Sequence, residues 1–208
     1  KQVGTIQDAP IDMVHPDMKA LGNIATEPIA MLDADKRSEV EKLVMQLKKD
    51  GDSTGGIVEV VATGLPIGLG NPNFDGIENR LACVIFGVPA IKGISFGGGF
   101  DICSRLGSEV NDAFTMDGDK ITTITNNSGG IQGGITNGLP LVMQVGIKPT
   151  PSIYKEQHSV SLSQKEDTLL TIKGRHDPCV ALRAVPVIEA VTALVILDFL
   201  GDIDHELR

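Results

Sequence analysis

The sequence predicts an α+β fold, in which helices pack against an antiparallel sheet. Amphipathic helical repeats alternate irregularly with β-branched runs, and the spacing between successive runs is that of hairpins. No GxGxxG motif follows a first strand and no GxxxxGK(S/T) loop occurs, which disfavours a Rossmann domain and a P-loop. The 208 residues suffice for one large domain or two small ones, and we expect residues 1–208 to form a single domain.

The first strong helical pattern covers residues 35–49. One face of this helix carries apolar residues at i, i+3, i+4 and i+7, namely Val40, Leu43, Val44 and Leu47. Asp35 is suited to cap the N-terminus, and Gly51 is suited to end the helix. Lysines 48 and 49 fit the last turn, where the helix dipole favours positive charge.

Runs of β-branched and apolar residues predict strands at 57–63, 91–96, 141–147 and, after a polar loop, 168–172. A second helix is expected between the first two strands, with Gly87 and Pro89 stopping it. Its apolar markers are Phe74, Ile77, Leu81, Val84 and Ile85. Residues 1–34 carry no strong pattern.

A last long helix is predicted from Pro178 to about Leu200. Asp177 would be its N-cap and Pro178 its first residue, which is a favourable combination at a helix start. Pro186 lies inside the helix, so a kink is expected there. The expected core stripe consists of Val180, Leu182, Val185, Ile188, Val191, Leu194 and Val195.

Composition narrows the classes of function. Lys and Arg number 18 against 27 Asp and Glu, a net charge of −9, so the chain has no bulk attraction for nucleic acid or anionic membrane. Three scattered cysteines without a CxxC pair indicate neither a disulfide framework nor a zinc site, and a reducing cytoplasm is expected. The longest apolar run, 190–197, is shorter than the ~20 residues that span a bilayer, and no signal peptide is visible.

Three segments could carry chemistry, and each has a structural alternative. The glycine-rich segment 126–135 could bring backbone N–H groups close to a ligand, or it could form turns between strands. The segment 148–152, Lys-Pro-Thr-Pro-Ser, could bind a phosphate at a strand end, or it could be an ordinary strand exit. The segment 174–179 could place Arg175 and His176 in an anion pocket, or it could only begin a helix.

The chain resembles the chorismate synthase family in six segments that occur in the family's order and cover most of residues 50–200. They are GDSTGGIVEVVATGLPIGLG (51–70), PAIKGISFGGGFD (89–101), GSEVND (107–112), TNNSGGIQGGITNG (125–138), KPTPSI (148–153) and GRHDPCVALRAVPVIEA (174–190). The last segment is a highly specific signature. The resemblance implies a homotetramer whose subunits are β-α-β sandwiches, with helices layered between two antiparallel sheets.

The resemblance also implies a reaction and a cofactor. Family members convert 5-enolpyruvylshikimate 3-phosphate to chorismate by an anti-1,4-elimination of phosphate, the last common step towards the aromatic amino acids. The reaction has no net redox change, yet it requires reduced FMN, and NADPH is an expected requirement. The chemistry belongs to the cofactor, while the protein positions it and stabilises charge.

Carried over residue by residue, the resemblance predicts a flavin site and one catalytic group. The flavin contacts fall on Pro89, Ala90, Gly133, Lys148, Pro149, Thr150, Pro151, Ser152 and Arg175. Many relatives have Asn where this chain has Pro89, so a contact there could be made only by backbone. Asp177 matches the aspartate that the family places near flavin N5, and no metal ligand is predicted.

Two features of the family are absent from this sequence. A Gly-Glu-Ser-His-Gly-like segment and a Ser/Arg-rich segment normally supply two catalytic histidines and the arginines for the substrate's phosphate and carboxylates. His15 has the wrong surroundings, and His176 belongs to the signature. We therefore expect residues 1–208 to be the C-terminal portion of a chorismate synthase-like subunit. The alternative functions are a non-catalytic module for folding, oligomerisation and partial flavin binding, or, remotely, an unrelated flavin-binding protein.

Overall fold

A computed structural model describes the backbone of residues 1–206 and the side chains of residues 1–201. The helices are α1 Met18–Ile24, α2 Ala34–Asp50, α3 Ile77–Ile85, α4 Gly107–Val110 and α5 Ala181–Glu206, with 3₁₀ turns at Asn73–Asp75 and Gly99–Ser104. The strands are β1 Gln2–Val3, β2 Ile6–Gln7, β3 Gly56–Ala62, β4 Ile91–Phe96, β5 Phe114–Asp117, β6 Lys120–Thr123, β7 Ile131–Gln132, β8 Ile135–Thr136, β9 Leu141–Ile147, β10 Gln157–Ser161 and β11 Glu166–Leu170. The predicted α+β class is confirmed.

The main sheet has five antiparallel strands in the order β2-β1-β3-β9-β4. Its centre is β9, which pairs along its whole length with β3, from Gly56↔Ile147 to Ala62↔Leu141. Alternate residues of β9 are buried beneath the helices, because successive side chains of a strand point to opposite faces. These residues are Leu141, Met143, Val145 and Ile147. Helix α5 packs on β3 and on α3, so the core lies between the sheet and these two helices.

Helix α2 confirms the first predicted helix, with a correction at its N-terminus. Asp33 rather than Asp35 is the cap: its carboxylate accepts hydrogen bonds from the N–H groups of Asp35 (2.8 Å) and Lys36 (3.2 Å). Gly51 ends the helix as predicted, in the left-handed conformation with φ of 66°. Val40 is fully buried and Leu43 packs on the core, so the predicted apolar face is the one that the helix buries.

The second predicted helix is shorter than its apolar markers suggested. Helix α3 begins at Ile77, and Phe74 lies before it in a 3₁₀ turn with 91% of its surface exposed. Val84 is also exposed, whereas Ile77, Leu81 and Ile85 are fully buried. Phe74 was therefore wrong as a marker of this helix, whereas Val84 lies in the helix but on its exposed side.

Helix α5 begins at Ala181, three residues after the predicted Pro178. Its buried stripe is Ala181, Ala184, Ile188, Thr192, Val195 and Phe199, in steps of three and four residues. The predicted stripe was wrong at Leu194, which is 64% exposed, and it omitted Phe199, which reaches the core.

By length and composition alone, Ala181–Gly201 is long and apolar enough to cross a membrane, with a mean hydropathy of 2.0. The uninterrupted apolar run 190–197 therefore understated how long and apolar this helix is. Part of the surface of α5 packs on β3 and α3 within this chain, and Ile188 and Phe199 on the helix are buried. Arg183, Glu189 and Asp198 lie along the same helix, and charged side chains are costly within a bilayer.

Two exposed hairpins were not predicted. Strand β10 pairs with β11 across a region that the sequence analysis treated as a polar loop, and β11 ends at Leu170 instead of residue 172. Strand β5 likewise pairs with β6 through the Asp117↔Lys120 turn. Strand β5 does alternate apolar and polar residues, Phe114-Thr115-Met116-Asp117, but the run is only four residues long, it was missed, and all four residues are exposed. Strands β6, β10 and β11 show no such alternation, so they carried no periodic signal.

Candidate functional site

Three strands of the main sheet end side by side. Strand β9 ends at Ile147, opposite the first residues of its antiparallel neighbours, Gly56 of β3 and Ile91 of β4. The residues just beyond these positions lie together at the edge of the sheet that these strand ends form. We call them the strand-end cluster, which consists of residues 51–55, 89–90, 148–152 and 174–178.

Ala90 joins segment 89–90 of this cluster to segment 148–152. The backbone N–H of Lys148 donates a hydrogen bond to the carbonyl oxygen of Ala90 at 3.0 Å. Ala90 has a φ of 72°, a left-handed conformation that costs a non-glycine residue of the order of 1–3 kcal/mol. The surrounding contacts therefore hold this turn in place. Pro89, next to it, is exposed and has no N–H to donate.

Residues 51–55 pack against the loop 148–152 and hold it in place. The hydroxyl of Ser53 donates to the carbonyl of Thr150 at 2.7 Å. A Cβ atom on Gly55 would lie 2.3 Å from the Ile147 carbonyl oxygen and 3.1 Å from Cδ of Pro149, so only glycine allows this approach. The loop is thus fixed by close backbone packing.

Tyr154 brings the signature segment towards the same edge. Its backbone N–H donates to the Gly51 carbonyl at 2.9 Å, and its hydroxyl donates to the carbonyl of Gly174. The rings of Tyr154 and His176 meet edge to face, with centroids 4.7 Å apart. The Thr54 N–H also donates to the Pro178 carbonyl at 2.8 Å, so segment 174–178 is tied to segment 51–55 at both ends.

Lys148 and Arg175 are the cations of the strand-end cluster, and both are exposed. Within the part of the chain whose side chains are described, neither forms an ion pair with a carboxylate. Thr150 and Ser152 add two partly buried hydroxyls between them in sequence. This donor set suits an anionic ligand such as a phosphate, which cations and hydroxyls bind well.

Asp177 is engaged on both oxygen atoms. Oδ1 accepts a hydrogen bond from the N–H of Cys179 at 2.9 Å, and Oδ2 lies 2.6 Å from the guanidinium of Arg183. Because α5 begins only at Ala181, Asp177 closes a short turn ahead of the helix, and the predicted N-cap at Asp177 with Pro178 as first helical residue is wrong. Arg183 is largely exposed, so solvent competes for this ion pair.

Gly133 lies away from the other predicted flavin contacts. It occupies the tight turn between β7 and β8, where Gly133 and Gly134 have φ of 62° and 83°. This hairpin packs near the start of β9, whereas Lys148 follows its end, and seven strand residues separate the two ends by roughly 20 Å. Within this chain the structure therefore brings together Pro89, Ala90, Lys148–Ser152 and Arg175, and it leaves Gly133 at the other end of the sheet.

Asp112 organises the glycine-rich segment, a role that the sequence analysis missed. Its buried carboxylate accepts hydrogen bonds from the N–H groups of Asn127 (2.7 Å) and Ser128 (2.9 Å) and from the Thr125 hydroxyl (2.8 Å). Burial alone would raise the pKa of Asp112, but these donors outweigh it and lower the pKa below its usual value. The motif GSEVND was noted, but nothing in the sequence pairs it with residues 125–128.

The glycines next to this carboxylate serve close packing. A Cβ atom on Gly97 would lie 2.1 Å from the Asn127 carbonyl oxygen. The N–H groups of Gly129 and Gly130 donate to the backbone and side-chain oxygens of Asn126, so they are used within the loop. Residues 126–130 therefore form a structural loop, and in the described residues no three side chains of His, Cys, Asp or Glu meet as a metal ion would require.

The fold and the strand-end cluster define a class: an α+β protein with a loop cluster that carries two exposed cations at one edge of an antiparallel sheet. The profile of the chorismate synthase family matches residues 2–200, and the chain belongs to that family. It is 46% identical to chorismate synthase of Methanosarcina mazei over 178 residues and 44% identical to that of Archaeoglobus fulgidus over 180 residues. These alignments cover 86% of this chain in both cases, and 49% and 50% of the relatives.

A solved structure described as the crystal structure of chorismate synthase has a similar fold. It superimposes with a TM-score of 0.70 at 28% identity, covering 89% of this chain and 50% of the solved one. Chorismate synthase of Lancefieldella parvula is 39% identical over 209 residues, which are 96% of this chain and 55% of the relative. The chain thus spans about half the length of the curated relatives that it matches.

Proposed function

We propose that this chain contributes the flavin-binding part of a chorismate synthase. The reaction is the anti-1,4-elimination of phosphate from 5-enolpyruvylshikimate 3-phosphate, which breaks the C3–O bond, removes a C6 hydrogen and gives chorismate. The observation that carries the proposal is the strand-end cluster, because four family segments that are far apart in sequence meet there around two cations. The family match over residues 2–200 supplies the identity of the reaction.

The donor set of the cluster fits FMN. Lys148 and Arg175 are suited to the phosphate of the flavin or to an anionic group of the substrate, since neither has a carboxylate partner in the described structure. Thr150 and Ser152 offer hydroxyl groups, and Pro89–Ala90 lie directly before β4, the strand next to β9. Reduced FMN, when bound, supplies the electron-rich partner that assists the departure of phosphate.

We assign proton management at this site to Asp177. Its carboxylate is about a quarter exposed, and it is held by the Cys179 N–H and by Arg183. A carboxylate fixed in this way keeps one orientation towards its neighbours, which proton transfer requires. We propose Gly133 as a flavin contact only for an assembly in which the β7–β8 turn of one subunit lies next to the strand-end cluster of another.

The complete activity requires more chain than these residues provide. The two catalytic histidines of the family have no counterpart here, and the matched relatives carry about as much chain again. A homotetrameric assembly, a cytoplasmic location and an NADPH requirement belong to the same proposal. The half-length match also favours a second candidate: a non-catalytic module that folds, assembles and binds flavin partially.

A chimera tests the proposal. Residues 2–200 replace the matching half of the Methanosarcina mazei relative, and chorismate formation is measured anaerobically with 5-enolpyruvylshikimate 3-phosphate and reduced FMN. We expect turnover comparable with that of the relative, because the borrowed half restores the missing histidines. A folded chimera that binds FMN but forms no chorismate would favour the non-catalytic module.

A further inference from the structure

The face of the main sheet that is turned away from α3 and α5 carries a row of polar side chains. The odd-numbered residues of β9 face the helices, so Gln144 and Gly146 point to the opposite face. Gln144 lies opposite Glu59 on β3 and opposite Ser95 on β4. One carboxylate, one amide and one hydroxyl therefore lie side by side across three neighbouring strands.

Two glycines leave the backbone bare next to this polar row. Gly146 lies opposite Gly93 of β4. A Cβ atom on Gly93 would meet no atom within 4 Å, and one on Gly146 would come no closer than 3.6 Å to its nearest neighbour. The φ of both residues lies outside the left-handed region, so neither packing nor backbone conformation requires glycine here. Glycine weakens a strand interior, and it often marks a place where a ligand approaches the backbone.

A cavity of about 440 Å³ lies on this face of the sheet, with the polar row and the two glycines in its lining. It is also lined by residues 10–13, which follow β2, and by residues 97–101, which follow β4. The buried side chain of Asn126 fixes the first of these segments, because its Nδ2 donates to the carbonyl oxygen of Met13 at 2.8 Å. Phe100 is 84% exposed and lies at the mouth of the cavity, so an aromatic ring faces the solvent beside the polar row.

The charges in the lining favour a cation. Only 8% of the side-chain surface of Glu59 is exposed. Its Oε1 accepts a hydrogen bond from Nε2 of Gln144 at 2.9 Å and lies 3.3 Å from the ammonium of Lys1, whereas its Oε2 accepts no hydrogen bond from the described residues. Asp101 is the second carboxylate of the lining and Lys1 is its ammonium, which leaves one negative charge in excess. A buried carboxylate with a free acceptor atom is stabilised by a positively charged donor and disfavours an anion.

We propose that this cavity binds a small organic cation, in which a short spacer joins a primary ammonium group to a flat apolar ring. The ammonium donates to Oε2 of Glu59 and to the Ser95 hydroxyl, and the ring lies on the bare backbone of Gly93 and Gly146, close to Phe100. A metal ion fits less well, since no three side chains of His, Cys, Asp or Glu meet within the described residues. The lining contains no residue of the strand-end cluster, so the inference does not rest on the proposed reaction.

An NMR titration of the isotopically labelled 208-residue chain with 2-phenylethylammonium tests the inference. We expect the amide signals of Gly93, Gln144 and Gly146 to shift, with a dissociation constant of the order of 1 mM for so small a ligand. The neutral analogue 2-phenylethanol should bind at least about tenfold more weakly, because it lacks the charge that Glu59 recognises. The anion 3-phenylpropionate should not bind in the same concentration range.

Two substitutions in the cavity are compared with one outside it. Glu59→Gln keeps an acceptor for Gln144 but removes the charge, so it should weaken binding of 2-phenylethylammonium at least about tenfold. Gly93→Val places a side chain on the bare backbone and should weaken binding to a similar extent, with no fall in melting temperature. Glu41→Gln removes an exposed carboxylate from α2 and should bind like wild type.

Three results would overturn the inference. The first is equal binding of 2-phenylethylammonium and 2-phenylethanol to wild type, which would reduce the cavity to an apolar surface. The second is undiminished binding to folded Glu59→Gln and Gly93→Val. The third is displacement of the amine by FMN, since the cavity would then belong to the flavin site. The comparison of the two ligands uses wild type alone, so it decides the matter even where a variant fails to fold.

Discussion

Replacing Asp112 by Asn should destabilise the chain, because this buried carboxylate holds the glycine-rich loop. Asn can keep the acceptor for Asn127 N–H and the Thr125 hydroxyl, but it sets an NH₂ group against the Ser128 N–H. Loss of a hydrogen bond to a charged acceptor costs about 1.5–3 kcal/mol. For a chain of this size, that corresponds to a fall in melting temperature of roughly 4–10 °C.

The effect of this substitution should depend on pH. The folded-state pKa of Asp112 is lowered, so its carboxylate adds stability above the unfolded-state value of about 3.9. This stability is lost as the pH falls through the lowered pKa of the folded state. The difference between wild type and Asp112→Asn should therefore be constant near neutral pH and shrink at pH values below about 4.

Urea denaturation followed by circular dichroism, at pH 7 and at several acidic pH values, measures both effects. Asp117→Asn is the matched control, because Asp117 is exposed at the end of β5 and should change stability by less than about 0.5 kcal/mol. If Asp112→Asn were as stable as Asp117→Asn at pH 7, the assigned hydrogen bonds would not stabilise the loop.

Three further predictions concern the site. The 208-residue chain alone should form no measurable chorismate with reduced FMN, since each missing histidine is worth ~10²–10⁴-fold; a rate near that of a full-length relative would refute this. In the chimera, Asp177→Asn should keep the fold and FMN binding but lower kcat by ~10²-fold or more, and a normal kcat would leave Asp177 with a structural role. Gly55→Ala should destabilise the chain by more than about 2 kcal/mol, because its Cβ would meet the Ile147 carbonyl at 2.3 Å, whereas Gly93→Ala, where no atom lies within 4 Å of the added Cβ and φ is not positive, is the control without a clash.

Helix α2 and strands β4 and β9 could be predicted because their apolar periodicity matches their burial. The predicted strands 91–96 and 141–147 coincide with β4 and β9, and helix 35–49 differs from α2 by one residue at each end. In each case one face meets the core, so the pattern and the packing carry the same information.

Other features depend on contacts that a linear pattern does not contain. Leu194 follows the helical spacing of its neighbours, yet α5 turns it outwards and places Phe199 in the core. In the hairpins β5–β6 and β10–β11 sequence and burial do not match: β5 alternates apolar and polar residues although it is exposed, whereas β10 is half-buried on one face although its sequence is mainly polar.

The candidate site was predicted from the resemblance to a family more than from pattern. Composition and spacing alone left segments 148–152 and 174–179 open between a ligand site and ordinary turns. Their meeting at one sheet edge depends on the antiparallel order β3-β9-β4 and on Tyr154, whose hydroxyl reaches Gly174. The distance of Gly133 from this edge is likewise a property of the sheet, since the β7–β8 turn precedes β9 and Lys148 follows it.

The dissociation constant of FMN tests most directly whether the strand-end cluster is the anionic side of a flavin site. It is measured anaerobically by flavin fluorescence on the chimera, for wild type, Arg175→Ala and the neighbouring control Lys173→Ala. We expect Arg175→Ala to weaken binding by about 1.5–3 kcal/mol, or roughly 10- to 150-fold, as the loss of a charge-assisted hydrogen bond would. Lys173→Ala should bind FMN like wild type. Equal dissociation constants for all three proteins, together with an unchanged KM for the substrate, would contradict the assignment.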